Sequence, residues 1–472
     1  MSKTLIIIVF LLMQVYNASP QISVHTSGSY LMEIKKSKPF FWLGDTGWEL
    51  FHRITRNDVV EYLDVRQKQG FNLIQAVVLA ENNGIITPNR YGHVPFKDLD
   101  PLKWDITPGN NYNNPAEYDY WDNVDYAINE AAKRNLYIGL LPTWGDKVAH
   151  MWGEGPVIFN ENNAFAYAKK LAERYKNQWN IIWILGGDRP GEYEYNGKRY
   201  DDRSVWRAMA RGIETVCGKQ AFITYHPGAS DYGSGEWFHK DRWLDMNAIQ
   251  SGHGRRDVPV WDDIRKNLLR QKLKPVLDME PCYEYHPVNP WDGKWTRKER
   301  GYFSPLEIRA RMYRSVFVGA CGVTYGHHSV WQFLDTALYQ SINTGDTVIH
   351  WRDALHSDVA RQMKHLKKLM LSRKDPARVE DSLLIETDRG SNYKDLVIAT
   401  KNVRGSYALV YMPEPNELKI NLDRLKAGQK KLTWFNPVNG KKTKVSKKIS
   451  SGILQIKPPD IRQSDWVLII DM

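Results

Sequence analysis

A (β/α)8 barrel followed by a small all-β sandwich is the fold this sequence predicts. Three observations predict it. Eight short β-rich apolar runs are separated by stretches of helical periodicity, nearly every run ends on a polar or aromatic residue, and beyond residue 374 the helical periodicity gives way to short strands with Gly, Asn and Pro turns. The 472 residues give length for two or three domains, and a hydrophobic content of 42% with 18 Trp, 25 Tyr and 14 Phe excludes a disordered or fibrous chain. Trp and Tyr faces also make good platforms for the C–H surfaces of sugars, although packing is the commoner use of any one ring.

Residues 1–19, MSKTLIIIVFLLMQVYNAS, read as a cleaved secretory signal peptide: Lys3 supplies the positive end, Leu5 to Met13 the apolar stretch, and Ala18 and Ser19 the small residues near a cut. The apolar stretch is shorter than the roughly 20 residues that span a bilayer, and no second run approaches it, so a secreted or periplasmic protein without a membrane span is expected. The three cysteines, Cys217, Cys282 and Cys321, are odd in number and lack CxxC spacing, which argues against a disulfide framework. The formal charge of +11 suits nucleic acid, an acidic membrane or a polyanionic polysaccharide. Export weighs against nucleic acid, and part of the excess lies in "NGKKTKVSKK", which reads most simply as a solvated basic hairpin.

The barrel is expected over residues 20–374. Its strands are read at "PFFWLGDTGW" (39–48), "FNLIQAVVL" (71–79), "LYIGLLPTW" (136–144), "IIWILGGD" (181–188), "AFITYHP" (221–227), "MNAIQSGH" (246–253), "KPVLDMEP" (274–281) and "GVTYGHH" (322–328). Between them, "RNDVVEYLDVRQKQG" and "YWDNVDYAINEAAKRN" carry apolar residues at helical spacing with capping Asp, Asn or Gly at their ends. Residues 375–472 then give "DLVIATK", "YALVYMP", "LKINLDRL", "KKLTWFNPVNGK", "SGILQIKPP" and "DWVLIID", a β-sandwich whose Trp434 and Trp466 lie within strands and fill its core.

In this fold all the loops after strands converge on one pocket. The strand ends bring Asp45 and Trp48, Gln75, Trp144, Asp188, His226, Gln250 and His253, Glu280 with nearby Tyr283, and His327 to that rim. Any one of these is more often a satisfied loop residue than a catalyst; eight on one rim change the odds. Asp188 after the fourth strand and Glu280 after the seventh face each other across the mouth, and two opposed carboxyls are what glycoside hydrolysis needs. A separation of about 5–5.5 Å would mean retention and roughly 6.5–9.5 Å inversion. The competing readings are an ion pair of Asp188 with Arg189 and a supporting role for Glu280 beside Tyr283 or His253. Glu284 rivals Glu280 but lies beyond Pro281. Asp278 should point the same way one layer deeper, in a supporting role. His327 and His328 would point to opposite sides if extended, so no metal site is expected on them, and no motif calls for a cofactor. Trp48 and Trp144 should wall the pocket, with Gln250, His253 and one of the two histidines bonding sugar hydroxyls.

"FFWLGDTGWELF", "WILGGDRP", "IQSGHG", "LDMEPCYE" and "YGHHSVWQ" resemble the successive motifs of the apiosidase-like glycoside hydrolases, family 140, whose barrel is followed by a small β-sandwich of a type named for collagen binding. The resemblance covers residues 30–470 and implies an acid/base at Asp188 and a nucleophile at Glu280. It further implies release of apiose from galacturonic acid in the pectin rhamnogalacturonan II; the leader suits export to the periplasm, and a monomer is expected. One departure from the wider retaining barrels stands out: those place Asn-Glu after the fourth strand, and here Gly187-Asp188 stands instead. The alternatives are a glycosidase of the same barrel acting on another glycan, and a secreted protein that binds glycan or collagen without catalysis.

Overall fold

The computed structural model describes residues 22–229, 233–342, 349–462 and 465–472, so the leader expected over residues 1–19 lies outside it. A three-stranded antiparallel sheet, Ile22–Val24, Leu31–Glu33 and Lys38–Phe40, comes first. Its Ile22, Leu31 and Phe40 join Leu73, Tyr137, Ile182 and Phe222 in one apolar cluster, which closes the end of the barrel where the strands begin. The sequence reading missed this sheet and merged its last strand with the first barrel strand.

Eight parallel strands follow: β1 Trp42–Thr46, β2 Leu73–Val77, β3 Tyr137–Leu141, β4 Ile181–Gly186, β5 Ile223–His226, β6 Asn247–Ile249, β7 Val276–Asp278 and β8 Gly322–Tyr325. They alternate with α1 Arg56–Lys68, α2 Tyr120–Lys133, α3 Glu161–Tyr175, α4 Arg203–Cys217, the single turn α5 Gly235–Phe238, α6 Val260–Leu268, α7 Pro305–Val318 and α8 Asp358–Leu371. Six strands pair in the order β5-β4-β3-β2-β1-β8, and β6 pairs with β7. The ring closes through a parallel bridge between Thr224 and Met246, and through the Cys321 N–H, which donates to the Val276 carbonyl at 2.9 Å. Capping boxes at Thr55, Asp119, Asn160 and Ser304 satisfy the first N–H groups of α1, α2, α3 and α7 and fix where each helix starts.

The pleat sorts each strand into two layers. Along β2, Leu73 and Val77 belong to the cluster inside the barrel, whereas Ile74 and Ala76 belong to the layer under the helices. The interior is tight enough to require glycine on β1 and β3. A Cβ on Gly44 would come within 2.6 Å of Trp42 Nε1, and one on Gly139 within 2.7 Å of Ile184 Cδ1. Among the described residues the three cysteines are free thiols, and no helix is long and apolar enough to cross a membrane.

The C-terminal domain consists of β9 Arg378–Glu380, β10 Ile398–Asn402, β11 Tyr407–Met412, β12 Leu418–Asn421, β13 Lys430–Phe435, β14 Lys442–Ile449, β15 Ile453–Ile456 and β16 Trp466–Asp471. Its large antiparallel sheet runs β9-β10-β11-β16-β13-β14, with β12 and β15 paired separately. One face of the large sheet packs on the small one, around Trp434 and Trp466. The other face is part of the barrel's own core: Leu409, Tyr411, Val467 and Ile469 share a cluster with Tyr313 and Phe317 of α7 and Met363 of α8. Tyr313 stacks on Tyr411 at 5.0 Å, and buried Arg309 of α7 bonds Asp465 at 2.8 and 3.1 Å.

Both faces of its large sheet are thus covered, one by the small sheet and the other by α7 and α8. Asp465→Ala should lower unfolding free energy by about 3–5 kcal/mol, because it strands a buried guanidinium. Truncation at residue 374 should give insoluble protein by uncovering α7 and α8. Denaturant titration and the soluble yield check these outcomes.

Candidate active site

Gly186, Gly187 and Asp188 all take left-handed backbone, with φ of 87, 108 and 54°. Three such residues in a row bend the chain sharply out of β4, and glycine or a short Asp is what that conformation accepts. Close approach requires the glycines as well. A Cβ on Gly186 would lie 2.2 Å from the His226 carbonyl oxygen, and one on Gly187 would lie 3.0 Å from the Trp144 ring. The bend turns the Asp188 N–H onto His226 Nδ1 at 3.1 Å. Burial raises the Asp188 pKa above the usual aspartate range; Arg189, with Nη1 3.6 Å from the carboxylate, opposes this, and the charge of Glu280 adds to it. Arg189 is largely committed elsewhere: its guanidinium donates to the carbonyls of Asp188 and Trp152 and lies 3.5 Å from the Trp152 ring centre.

Glu280 stands two residues past the end of β7, between two imidazoles. His253 Nε2 is 3.1 Å from Oε1 and His226 Nε2 is 3.1 Å from Oε2. The second contact lies off the line of a full hydrogen bond despite its distance, and the angle decides, so His226 Nε2 and Glu280 Oε2 each keep bonding capacity. The tautomers follow from the backbone. His226 Nδ1 accepts from the Asp188 N–H and His253 Nδ1 from the Tyr283 N–H, at 3.1 and 3.3 Å, so each ring carries its proton on Nε2, facing Glu280. Burial alone would raise the Glu280 pKa; His226 and His253 outweigh it and hold the carboxyl well below the glutamate range.

Trp48 and Trp144 wall the site, with ring centres 5.1 Å apart and each ring against His226, at 5.4 and 5.7 Å. Trp48 Nε1 donates to the Tyr283 hydroxyl at 3.1 Å. The Gln250 amide faces the Asp188 carboxylate. Asp188, Glu280, Trp48, Trp144, His226, Gln250, His253 and Tyr283 therefore share one mouth.

Three expected residues lie elsewhere. Asp45 has the outward parity of β1: it is wholly buried under α1, accepting from Arg66 Nε at 2.6 Å and the Tyr62 hydroxyl at 2.5 Å. Gln75 points inward but deep, and its Nε2 donates to the Met279 carbonyl at 3.0 Å, bracing β2 against β7. His327 is buried in the turn after β8, where its Nδ1 accepts from the Ser329 N–H at 3.1 Å and burial keeps the ring neutral. Asp278 also departs from expectation: it faces away from the mouth and accepts from the Ser251 hydroxyl at 2.6 Å, because the pleat ends there and does not carry on to Glu280. Glu284 accepts from the Tyr325 hydroxyl at 2.7 Å, and its other carboxylate oxygen from the Val359 N–H at 3.4 Å.

The sequence reading overlooked Glu81, in the loop after β2. Burial and then the charge of Asp188 push its pKa up to about 8. Its signal is "VLAEN", an acid directly past an apolar run, masked by Gln75, a polar residue within the same strand. Among the described residues, no three His, Cys, Asp or Glu side chains converge as a metal-binding group.

A carboxyl that holds its proton, opposite a carboxylate that does not, can deliver a proton to one side of a bond while presenting an anion to the other. The family model described as "Apiosidase-like, catalytic domain" matches residues 25–375, and that described as "Putative collagen-binding domain of a collagenase" matches 379–471. A solved structure described as a glycoside hydrolase is 31% identical, with 96% of this chain and 97% of that one covered at a TM-score of 0.82. Another, described as a glycoside hydrolase family 5 from Bacteroides vulgatus, is 32% identical, with 96% and 93% covered at a TM-score of 0.82. A third, from the same organism, shares the fold at 16% identity and a TM-score of 0.64. No curated protein matches the chain.

The opposite pKa shifts predict opposite stability effects. Ionised Asp188 is disfavoured by the fold, so its cost appears as pH rises above the aspartate range; Asp188→Asn should unfold about 1–3 °C higher at neutral pH, the gain shrinking toward pH 4. Ionised Glu280 is favoured, a contribution present above the glutamate range and lost on acidification, so Glu280→Gln should unfold lower at neutral pH. Thermal unfolding of both variants across pH reads these signs.

Proposed function

The chain belongs to the apiosidase-like glycoside hydrolases, and on that premise we propose that Asp188 and Glu280 hydrolyse the bond between apiose and galacturonic acid in rhamnogalacturonan II, outside the cytoplasm. The observation that carries the reading is a pair of buried carboxyls in one aromatic-walled mouth, with burial raising the pKa of Asp188 while His226 and His253 hold that of Glu280 down. The substrate is supported by the family, and the location by the leader-like residues 1–19. Asp188 passes its proton to the glycosidic oxygen as that oxygen leaves the anomeric carbon, while a Glu280 oxygen bonds that carbon from the other face. Water then displaces Glu280, giving its proton back to the Asp188 carboxylate. Trp48 and Trp144 hold the sugar's C–H faces, and Gln250, His253 and Tyr283 meet its hydroxyls.

The test is release of free pentose from rhamnogalacturonan II oligosaccharides. Asp188→Asn and Glu280→Gln should each lose at least about 100-fold in kcat/KM, and full activity in either variant would overturn the assignment. With an activated aryl glycoside, azide should rescue an Asp188 variant at the second step and leave a Glu280 variant without a normal covalent intermediate. Activity should rise with pH through the lowered pKa of Glu280 and fall through the raised pKa of Asp188, giving an acidic optimum.

A further inference from the structure

Two loops carry the mouth outward. After β2 come Glu81, Asn82 and Asn83 in succession; after β3 come Trp152 and Glu154. Between these loops, His52, Thr87 and Tyr339 complete a cleft of about 240 Å³ with Asn82, Asn83 and Glu154. Its walls are fixed. The Lys147 ammonium, paired with Asp146 at 2.8 Å, donates to the carbonyls of Ala80 and Glu81 at 2.8 and 3.1 Å. Asn82 Nδ2 donates to Glu49 at 2.9 Å, and Glu49 is held in turn by His52 at 2.8 Å.

We propose that this cleft is the subsite for the leaving group, that the leaving group is itself a sugar, and that Glu81 and Trp152 join the subsite to the catalytic pair. The proposal rests on the glycosidase reading above. Each loop also places a residue outside the cleft lining near the Asp188–Arg189 turn. Glu81 feels the Asp188 charge more strongly than any other, and Trp152 takes a hydrogen bond on its carbonyl from Arg189, the next residue along, while its ring covers that guanidinium. Asp188 protonates the departing oxygen, so the portion of the substrate on its side is the one that departs.

The lining chemistry names the ligand. Apart from Pro88 the lining is polar or aromatic: Arg53 and His52 stand beside a Thr hydroxyl, a Tyr, the Asn82 amide and an Asn83 amide that donates to Glu154 at 3.4 Å, a set that suits a ring of hydroxyls rather than an apolar aglycone. Among the described residues the Glu81 carboxyl makes no hydrogen bond or ion pair, and with its pKa pushed up to about 8 by burial and the Asp188 charge, its protonated form can both donate to and accept from a sugar hydroxyl. Trp152 is 46% exposed, with one face on Arg189, which leaves an aromatic platform at the junction.

The test compares rhamnogalacturonan II oligosaccharides, which have a sugar leaving group, with the nitrophenyl glycoside of the sugar they release, whose leaving group is too short to fill the cleft. Thr87→Trp, which fills the cleft from an exposed position, and Glu81→Ala should each depress kcat/KM on the oligosaccharide at least about tenfold more than on the aryl glycoside. The loss should fall mainly on KM for Thr87→Trp. Glu81→Gln, which keeps a donor and an acceptor, should restore most of the loss. Equal losses on the two substrates, or none on the oligosaccharide, would overturn the subsite while the glycosidase reading stands. Failure of the unmutated protein to cleave either substrate would instead remove the proposed rhamnogalacturonan II reaction, and the subsite argued from it.

Discussion

The rest of the site depends on where the proton of one imidazole sits. His226 accepts the Asp188 N–H on Nδ1, presents its Nε2 proton to Glu280, and packs its ring against Trp48 and Trp144. A proton on Nδ1 would face the Asp188 N–H head on, so the ring carries its proton on Nε2, toward Glu280. The backbone bend at Gly186–Asp188 that sets the acid in place thus also fixes the tautomer that favours the anionic form of the other carboxyl. Position and protonation are one constraint, and the two glycines belong to it because a Cβ on either would push His226 or Trp144 away.

The same economy holds below the mouth. Asp45–Arg66, Gln75–Met279 and Asp278–Ser251 are polar contacts buried among apolar layers, and each ties a strand to a neighbouring helix, strand or loop. A carboxylate buried without a partner costs far more than a paired one, so each has its donor. These groups stiffen the strand ends that carry the chemistry. The C-terminal sheet does the same for α7 and α8, which pack behind β8, α8 also behind β1.

The barrel was legible because its strands are apolar runs of fixed length between amphipathic helices, a pattern independent of detail. Asp188 and Glu280 were legible because a carboxyl directly past such a run has few places to go except the rim. Asp45, Gln75 and Asp278 were not, because the side a residue faces depends on its parity and on where the pleat stops, and a slip of one residue reverses it. On β1, Leu43 and Asp45 share the outward parity, which a run of apolar letters on both sides of Asp45 conceals. Glu81 was missed for a different reason: its importance lies in what Asp188 does to it from another loop, and no local pattern records a contact across the barrel mouth.

The distribution of charge changes what the net charge means. The lysines of β14 lie on the edge strand of the large sheet, where Lys442, Lys444, Lys447 and Lys448 are exposed and discourage pairing with another chain. That accounts for much of the basic excess in the tail without any ligand. Around the catalytic pair the balance is the reverse, with Glu81, Asp146, Asp188 and Glu280 set against Lys147 and Arg189. Both cations are committed, Lys147 to Asp146 and two carbonyls, Arg189 to two carbonyls and the Trp152 ring. With every group ionised the carboxylates of the mouth outnumber its cations. The raised pKa values of Asp188 and Glu81 make these two the carboxyls that take up protons first on acidification, so the charge of the mouth follows their protonation.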